Sequence, residues 1–181
     1  MTRLRIALRS TAYRLALLAA VGACAVVLAG CCDGGKPAER VGEPVVPPGW
    51  DLTTPDKAVE SYLAWTTLAY RLANSDVASK AVEPYELVTV DSYIALNRQQ
   101  GNKGMERVLK AFRIRAKSQD GTHTLVAASE TWDYRYFSLT DLTYVSPKYT
   151  TSYEATYTVA QFPDAGWLVM DVEAKALDAV H

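Results

Sequence analysis

The sequence predicts an α+β domain in which helices come first and a four-stranded antiparallel sheet follows. Apolar residues recur every three or four positions between residues 55 and 100, which is typical of amphipathic helices. From Met105 onward they recur at every second position, which is typical of strands with one buried face. Because the helices are grouped ahead of the strands, we expect them to pack across one face of the sheet.

The first 30 residues have the layout of an export signal rather than of a folded element. Four arginines and no acidic residue precede an uninterrupted apolar run at residues 15–29, and small residues then lead into a cysteine. This run holds 15 residues, whereas a helix that spans a membrane needs about 20. We therefore predict a cleaved signal peptide at residues 1–30. An uncleaved signal anchor and a secreted form without lipid are the alternatives.

The tetrapeptide Leu28-Ala29-Gly30-Cys31 resembles the lipobox of bacterial lipoprotein signal peptides. The resemblance implies cleavage between Gly30 and Cys31, and a diacylglyceryl group on the Cys31 sulfur. Cys32 follows a cysteine and fits the lipobox poorly, so Cys31 is the better acceptor. A second acyl chain, such as palmitate, would make the anchoring stable. We therefore predict a lipid anchor at Cys31 that holds the chain at the extracytoplasmic face of the cell membrane.

The charge balance and the cysteines limit the classes of protein to which the mature chain can belong. The full chain has 19 basic and 20 acidic residues, and residues 1–30 contain four of the basic ones and none of the acidic ones. The mature chain therefore has a net charge of −5, which argues against binding to nucleic acid. No cysteine follows Cys32, so stability must come from a hydrophobic core rather than from disulfides.

Residues 31–54 are predicted to form a flexible linker that begins at the lipidated cysteine. They show no hydrophobic periodicity and are rich in proline and glycine, a composition that is typical of spacers. Residues 55–181 are predicted to form a single α+β domain, because 127 residues can bury one hydrophobic core but do not leave room for a second domain.

The helices of this domain are indicated by capping residues and apolar stripes. Thr54-Pro55-Asp56 is a strong helix start, with threonine as the cap, proline at the first helical position and aspartate near the positive end of the helix dipole. The apolar stripe that follows reaches Leu72. A further helix is predicted over residues 90–100, after a break at Pro84 and before a stop at Gly101.

Four strands are predicted from alternating apolar residues and from the turn sequences between them. Asp120-Gly121 is a favourable two-residue hairpin turn. Proline and glycine at residues 163–166 favour a second turn. The predicted strands cover residues 108–115, 122–137, 149–161 and 167–177.

Three segments of this domain resemble the NTF2-like superfamily, also called cystatin-like or cone-shaped. They are the helix start at residues 54–63, the aromatic strand at residues 131–136 and the final strand at residues 166–172. Similar starts and last strands occur in small bacterial envelope lipoproteins with this fold. The resemblance implies helices that lie in the concavity of a curved four-stranded antiparallel meander. It does not imply one function, because the superfamily contains dehydratases, isomerases, epoxide hydrolases and non-catalytic scaffolds.

Aromatic side chains are the candidate lining of a ligand pocket. The chain contains 11 tyrosines and 4 tryptophans, and these side chains combine an apolar body with a polar group. The candidate pocket residues are Tyr62, Trp132, Tyr134, Tyr136, Tyr153 and Tyr157. The alternative is that these aromatics fill the core and only their polar tips reach water.

No catalytic residue set and no metal site is predicted. Proton abstraction requires a positioned, desolvated carboxylate, and the alternation of the strands places Asp133 and Asp171 opposite the apolar face, where we expect them to meet solvent. His123 follows a turn, and no cluster of histidine, aspartate or glutamate has the spacing of metal ligands. One strand face is expected to carry a short basic ridge, formed by Arg113, Arg115 and Lys117.

These features favour a lipid-anchored, non-catalytic binding or accessory module of the bacterial cell envelope. No cofactor is expected. The expected partners are the membrane, through the lipid at Cys31, and an envelope protein, a wall component or a small apolar ligand. The alternative is an enzyme of the isomerase, dehydratase or hydrolase type that uses the cone pocket with Asp133 or Asp171 as general base.

Overall fold

The computed structural model describes residues 38–177. The predicted signal peptide, the cleavage site at Gly30 and Cys31, and the predicted lipidation at Cys31 lie outside these residues. None of the helices within residues 38–177 has the length and apolar character needed to cross a lipid bilayer. The elements are α1 (Pro55–Leu72), a short 3-10 helix (Ser75–Ala78), α2 (Pro84–Gln99), β1 (Lys103–Asp120), β2 (His123–Ser138), β3 (Tyr149–Phe162) and β4 (Gly166–Ala176).

The four strands form one antiparallel sheet in the order β1-β2-β3-β4, so each strand pairs with its neighbour in the sequence. Both helices contribute to the hydrophobic core on one side of this sheet, through Tyr62 of α1 and Ile94 of α2. The predicted fold class is therefore confirmed: helices pack on a four-stranded antiparallel meander.

The start of α1 is the one that the sequence predicts, whereas α2 begins earlier than predicted. The Thr54 hydroxyl accepts a hydrogen bond from the Lys57 backbone N–H (3.3 Å), and Pro55 is the first helical residue. The second helix begins at Pro84 rather than near residue 90. Proline is well tolerated in the first turn of a helix, and the Glu83 carboxylate caps this turn by accepting from the Tyr85 N–H (2.7 Å).

The sheet has an inner face, which the helices cover, and an outer face, which is polar. On β2 and β3 the inner face carries buried apolar residues: Val126, Ala128, Trp132, Ala155, Tyr157 and Val159. The outer face of the same strands carries threonines, serines and charged residues, such as Thr131, Asp133 and Thr150. The alternation in the sequence predicts these two faces correctly, because the pairing between β2 and β3 has no irregularity.

Strand β1 departs from the predicted alternation, because its pairing with β2 shifts between Leu109 and Ala111 and again between Ile114 and Ala116. Each shift inserts one extra residue and exchanges the two faces for the residues that follow. The predicted basic ridge is therefore wrong. Lys117 lies on the inner side and forms an ion pair with Asp56 of α1 (2.9 Å), whereas Arg113 lies on the outer side, opposite Ser129.

Residues 38–54, called the strap below, lie against the domain, although the sequence predicts a flexible linker up to residue 54. The Trp167 backbone N–H donates to the Leu52 carbonyl (2.9 Å), and the Trp65 indole N–H donates to the Gly49 carbonyl (3.0 Å). The compact unit of the chain therefore includes the strap. Both contacts use backbone carbonyls of the strap. Every residue has such a carbonyl, so these contacts do not require a periodic pattern of apolar side chains in the sequence.

Candidate ligand-binding groove

A groove with a volume of about 520 Å³ lies between α1, β1 and the strap. Helix α1 contributes a row of side chains spaced three or four residues apart, which places them on one side of the helix. These α1 residues are Leu63, Ala64, Thr67, Leu68 and Arg71. Strand β1 contributes Arg107, Val108, Leu109 and Phe112, and β2 contributes Trp132.

The strap forms the remaining wall of the groove, through Pro44, Val45, Pro47 and Pro48. Proline has no backbone N–H and a restricted φ angle, so this wall is stiff and offers few hydrogen-bond donors. Val45 is 88% exposed and Leu109 of β1 is 36% exposed. Both residues line the groove, so it presents partly uncovered apolar surface on two of its walls.

Arg107 carries a positive charge on the wall of this mostly apolar groove. Its guanidinium carbon lies 4.7 Å from the ring centre of Tyr70 and 4.6 Å from that of Trp132, both within the range of cation–π attraction. The side chain also donates to the hydroxyls of Thr67 (3.0 Å) and Thr66. Within residues 38–177 it forms no ion pair with a carboxylate.

The other charged groups on the groove differ from Arg107, because most of them have a partner of opposite charge. Glu106 lies 3.7 Å from Arg71 and accepts a hydrogen bond from the Tyr144 hydroxyl (2.6 Å). Burial, together with this hydrogen bond, raises the pKa of Tyr144 to about 12. Glu60 forms an ion pair with Lys57 (2.6 Å). Glu43 lies at the exposed rim, on the strap.

Behind the groove, between α1, α2 and the sheet, the interior is filled and its polar groups are paired. The Tyr62 hydroxyl donates to Glu86 (2.6 Å). Burial raises the pKa of Glu86 to about 6, while the hydrogen bond from Tyr62 acts in the opposite direction. Glu130 accepts from the Trp132 indole N–H (2.7 Å) and from the Tyr157 hydroxyl, and burial raises the pKa of Tyr157 well above its ordinary value.

The six aromatic residues predicted to line a pocket occupy three different environments. Trp132 lines the groove. Tyr62 and Tyr157 are buried and meet edge to face, with ring centres 5.8 Å apart. The other three belong to a half-exposed tyrosine cluster, in which the rings of Tyr134 and Tyr149 stack with their centres 5.4 Å apart. The members of this cluster are Tyr134, Tyr136, Tyr149 and Tyr153.

The aspartates considered as general bases do not line the groove, although the charge of Asp171 contributes to the raised pKa of Glu86 in the interior. Asp133 is on the outer face, and a hydrogen bond from Thr150 (2.6 Å) lowers its pKa. Asp171 is exposed and pairs with Thr158 in the register of β3 and β4. His123 begins β2, next to the hairpin turn. Within residues 38–177 no group of three or more metal-binding side chains is arranged to hold an ion.

Sequence reasoning missed three charged residues on the helix side of the sheet: Glu86, Arg107 and Glu130. Glu130 shares the even-numbered positions of Val126 and Trp132, so its burial could be predicted from the alternation of β2. Arg107 lies on the inner side of β1, opposite Tyr134. The shift between Leu109 and Ala111 reverses the alternation just after it, so the alternation of the later residues does not predict this position. Glu86 lies in the part of α2 that the sequence leaves outside the predicted helix.

Comparison with known proteins supports the fold and leaves the function open. No protein-family model matches the chain, and a search of curated proteins gives no match. Among solved structures, the intermembrane space region of the chloroplast protein ARC6 is similar with a TM-score of 0.52 and 17% identity, over 72% of this chain and 100% of that one.

Two further similar structures carry the name of the NTF2-like family. An NTF2-like superfamily protein from Salmonella enterica has a TM-score of 0.45 and 11% identity, over 69% of this chain and 89% of that one. A candidate dehydratase of the NTF2-like family from Streptomyces avermitilis has a TM-score of 0.44 and 17% identity, over 70% of this chain and 100% of that one. At these identities a likeness concerns the fold alone, and the ARC6 region is the comparison that shows a shared fold.

Proposed function

We propose that this chain is a lipid-anchored, non-catalytic binding module of the bacterial cell envelope and that it takes a small apolar ligand in the groove. The observation that carries the proposal is the groove itself, because it combines uncovered apolar walls with a volume of about 520 Å³. Binding sites for small molecules typically have volumes of about 300–1,000 Å³ and mostly apolar walls with a few polar groups.

The proposed location depends on the export signal and on the short distance between the predicted anchor and the strap. Residue 38 lies seven positions after Cys31, and a fully extended chain spans about 3.3–3.6 Å per residue. The strap would therefore begin within roughly 25 Å of the acylated cysteine. A module held in this way samples ligands that enter or leave the membrane surface.

The packing of the interior supports a binding role over an enzymatic one. An enzyme that used the cone pocket would need a carboxylate beside space for a substrate. Asp133 and Asp171 do not meet this requirement, because they lie on the outer face. Glu86 and Glu130 are buried against tyrosine hydroxyls, but neither lines the groove, and the α1 side chains Tyr62 and Leu63 occupy the core beside them.

Ligand binding in the groove can be tested with the fluorescent apolar probe N-phenyl-1-naphthylamine. Its fluorescence rises in an apolar site, so we expect saturable enhancement with the wild-type domain. Ala64→Trp should abolish the enhancement, because Ala64 is an exposed α1 residue on the groove wall and the indole would fill the space. Ser92→Trp is the matched control, since Ser92 is exposed on α2 and outside the groove. Equal binding by both variants would contradict the proposal.

The anchor can be tested by metabolic labelling with palmitate, followed by separation of membrane and soluble fractions. We expect the label to be incorporated into the wild-type chain and into Cys32→Ala, and to be lost from Cys31→Ala, because the lipobox resemblance assigns the acceptor to Cys31. Label that persists in Cys31→Ala would refute the assignment. This outcome would not affect the groove proposal, because dye binding to the groove is measured in a separate experiment that does not depend on the lipid.

A further inference from the structure

The charges around the groove indicate which kind of apolar ligand it takes. We infer that the groove binds a single-chain amphiphile whose terminal carboxylate pairs with Arg107, as a long-chain fatty acid would. This inference rests on the proposed function and adds the chemistry of the ligand's head group. The apolar chain would lie along the partly uncovered side chains of β1 and α1, such as Leu109 and Ala64.

Arg107 is suited to this role because its positive charge has no anionic partner within the described part of the chain. Two of its nitrogens are engaged: Nε donates to Thr67, while Nη2 donates to Thr66 and approaches the Leu63 carbonyl (3.4 Å). Nη1 makes no hydrogen bond within residues 38–177. Because a guanidinium binds a carboxylate most strongly through charge-assisted hydrogen bonds, this free nitrogen is the donor that a ligand would use.

The aromatic rings beside Arg107 hold the guanidinium in place for a ligand. Tyr70 and Trp132 both approach it at less than 5 Å from their ring centres. Tyr70 is buried, and this burial raises the pKa of its hydroxyl to about 12 while the charge of Arg107 acts in the opposite direction. Positioned donors in a partly desolvated site bind an anion more strongly than mobile surface groups do, because less side-chain entropy is lost.

The surrounding carboxylates favour a head group with one negative charge over one with two. Glu60 and Glu106 are each paired with a cation, so they add little net charge. Glu43 lies at the exposed rim and repels anions weakly, since water screens it. One guanidinium therefore faces the ligand, and the described residues of the groove wall include no second unpaired cation. A phosphate with two charges would leave one of them without a partner in an apolar site.

A purely structural role for Arg107 is the competing explanation, because its hydrogen bonds to Thr66 and Thr67 join β1 to α1. The two explanations differ in what they predict for ligands that share a chain but differ in the head group. A structural residue affects all such ligands alike, whereas a head-group partner discriminates among them.

The test is displacement of bound N-phenyl-1-naphthylamine by three probes with the same chain: dodecanoate, dodecanol and dodecyltrimethylammonium. With the wild-type domain at neutral pH, we expect dodecanoate to displace the dye at a concentration about tenfold lower than dodecanol, equivalent to about 1.4 kcal/mol. The cationic probe should be the weakest. High salt should weaken dodecanoate and leave dodecanol unchanged, because screening acts on the charged pair.

Variants then locate the discrimination at Arg107. Arg107→Gln should remove the preference for dodecanoate and leave the displacement by dodecanol within twofold of wild type, and Arg107→Lys should retain part of the preference. Arg113→Gln is the matched control, because Arg113 is an exposed arginine on the outer side of the same strand, and it should behave as wild type. If Arg107→Gln fails to fold, the lysine variant and the salt series distinguish a head-group partner from a structural residue.

The outcomes separate the inference from the proposed function. Equal displacement by dodecanoate and dodecanol overturns the head-group inference, while saturable dye binding keeps the groove proposal. Equal weakening of all three probes by Arg107→Gln assigns Arg107 a structural role and also overturns the inference. A wild-type domain that binds no dye and no probe overturns both.

Discussion

The groove and the interior behind it share the Trp132 side chain, yet they treat polar groups in different ways. In the interior, the buried carboxylates of Glu86 and Glu130 accept hydrogen bonds from tyrosine hydroxyls and from an indole N–H. In the groove, the Arg107 guanidinium has aromatic rings and threonine hydroxyls around it but no carboxylate within the described residues. Apolar residues beside it are partly exposed.

This difference shows which polar residues support the fold and which are available for a ligand. Buried polar groups that are fully paired with one another add specificity to a core, and the loss of one member leaves the others unsatisfied. A charge with an unused donor beside uncovered apolar surface has the opposite character, because no carboxylate within residues 38–177 pairs with it. Substitutions in the two regions should therefore have different consequences, as the following predictions specify.

The largest expected effect is on the interior, from Glu130→Ala. Removal of this carboxylate leaves the Trp132 indole N–H and the Tyr157 hydroxyl buried without a partner, at about 1–3 kcal/mol for each unsatisfied group. We expect the free energy of unfolding in urea to fall by about 3 kcal/mol. Glu154→Ala, an exposed position on β3, is the control and should change little. A loss below about 1 kcal/mol for Glu130→Ala would mean that the pairing contributes little.

Gly104→Ala should weaken the edge of the sheet that carries the groove. A β-carbon at this position would overlap three atoms of the buried Phe137 ring, and Arg71 of the groove lies over that ring at 4.7 Å. Overpacking of this kind costs about 1–3 kcal/mol, so we expect a loss of about 2 kcal/mol in urea unfolding. Gly42→Ala meets no atom within 4 Å and serves as the control. Equal stability of the two variants would contradict the close packing of Phe137.

Gly166→Ala tests the contact between the strap and the sheet. Gly166 has a φ of 84°, and an added β-carbon would press on the carbonyl of Leu52 in the strap. Gly121 also has a positive φ, 62°, but open space around it. Both alanine variants incur the backbone strain, so the difference between them reports the contact with the strap. We expect Gly166→Ala to be less stable by about 1 kcal/mol more than Gly121→Ala, with faster proteolysis of the strap.

The smallest effect concerns pH and the Glu86 carboxyl of the interior. Its pKa rises from 4.5 to about 6 on folding, chiefly because of burial. The folded state therefore binds more protons than the unfolded state between these values, and this contribution to stability is present at low pH and lost as the pH rises through 6. We expect a loss of about 1 kcal/mol between pH 5 and pH 7 from this group.

Urea unfolding of the wild type and of Glu86→Gln at both pH values isolates this contribution. Glu86→Gln should flatten the pH dependence in this window, because the amide does not titrate and its carbonyl can still accept from Tyr62. Glu154→Gln should leave the dependence as in the wild type. A pH dependence that is unchanged in Glu86→Gln would rule out Glu86 as its source.

The sequence predicts the fold well where a regular period is maintained, and it predicts the site poorly where that period is interrupted. The inner faces of β2 and β3 follow from strict alternation, and the capped start of α1 follows from Thr54 and Pro55. Arg107 could not be placed in this way, because it precedes the predicted strand and because the shift between Leu109 and Ala111 reverses the alternation of the residues that follow it. Such a shift depends on pairing with another strand and leaves no mark in the local sequence.

Glu130 and the strap show two further limits of sequence reasoning. The position of Glu130 fits the buried side of β2, but a carboxylate is rarely buried without a partner. Its partners Trp132 and Tyr157 are identified only when β2 and β3 are assembled. The strap contacts the domain through carbonyl groups such as that of Leu52. Because every residue has a carbonyl, such contacts cannot be read from side-chain type.

The strap has a mechanical consequence for any load applied to the residues that precede it. A pull from that end would peel the strap away one backbone hydrogen bond at a time, beginning near Val41 and reaching Leu52 last. Pro44 and Pro47 would leave the groove before the Leu52 hydrogen bond to β4 breaks. Tension on the chain would thus open the strap wall of the groove before it disrupted the core.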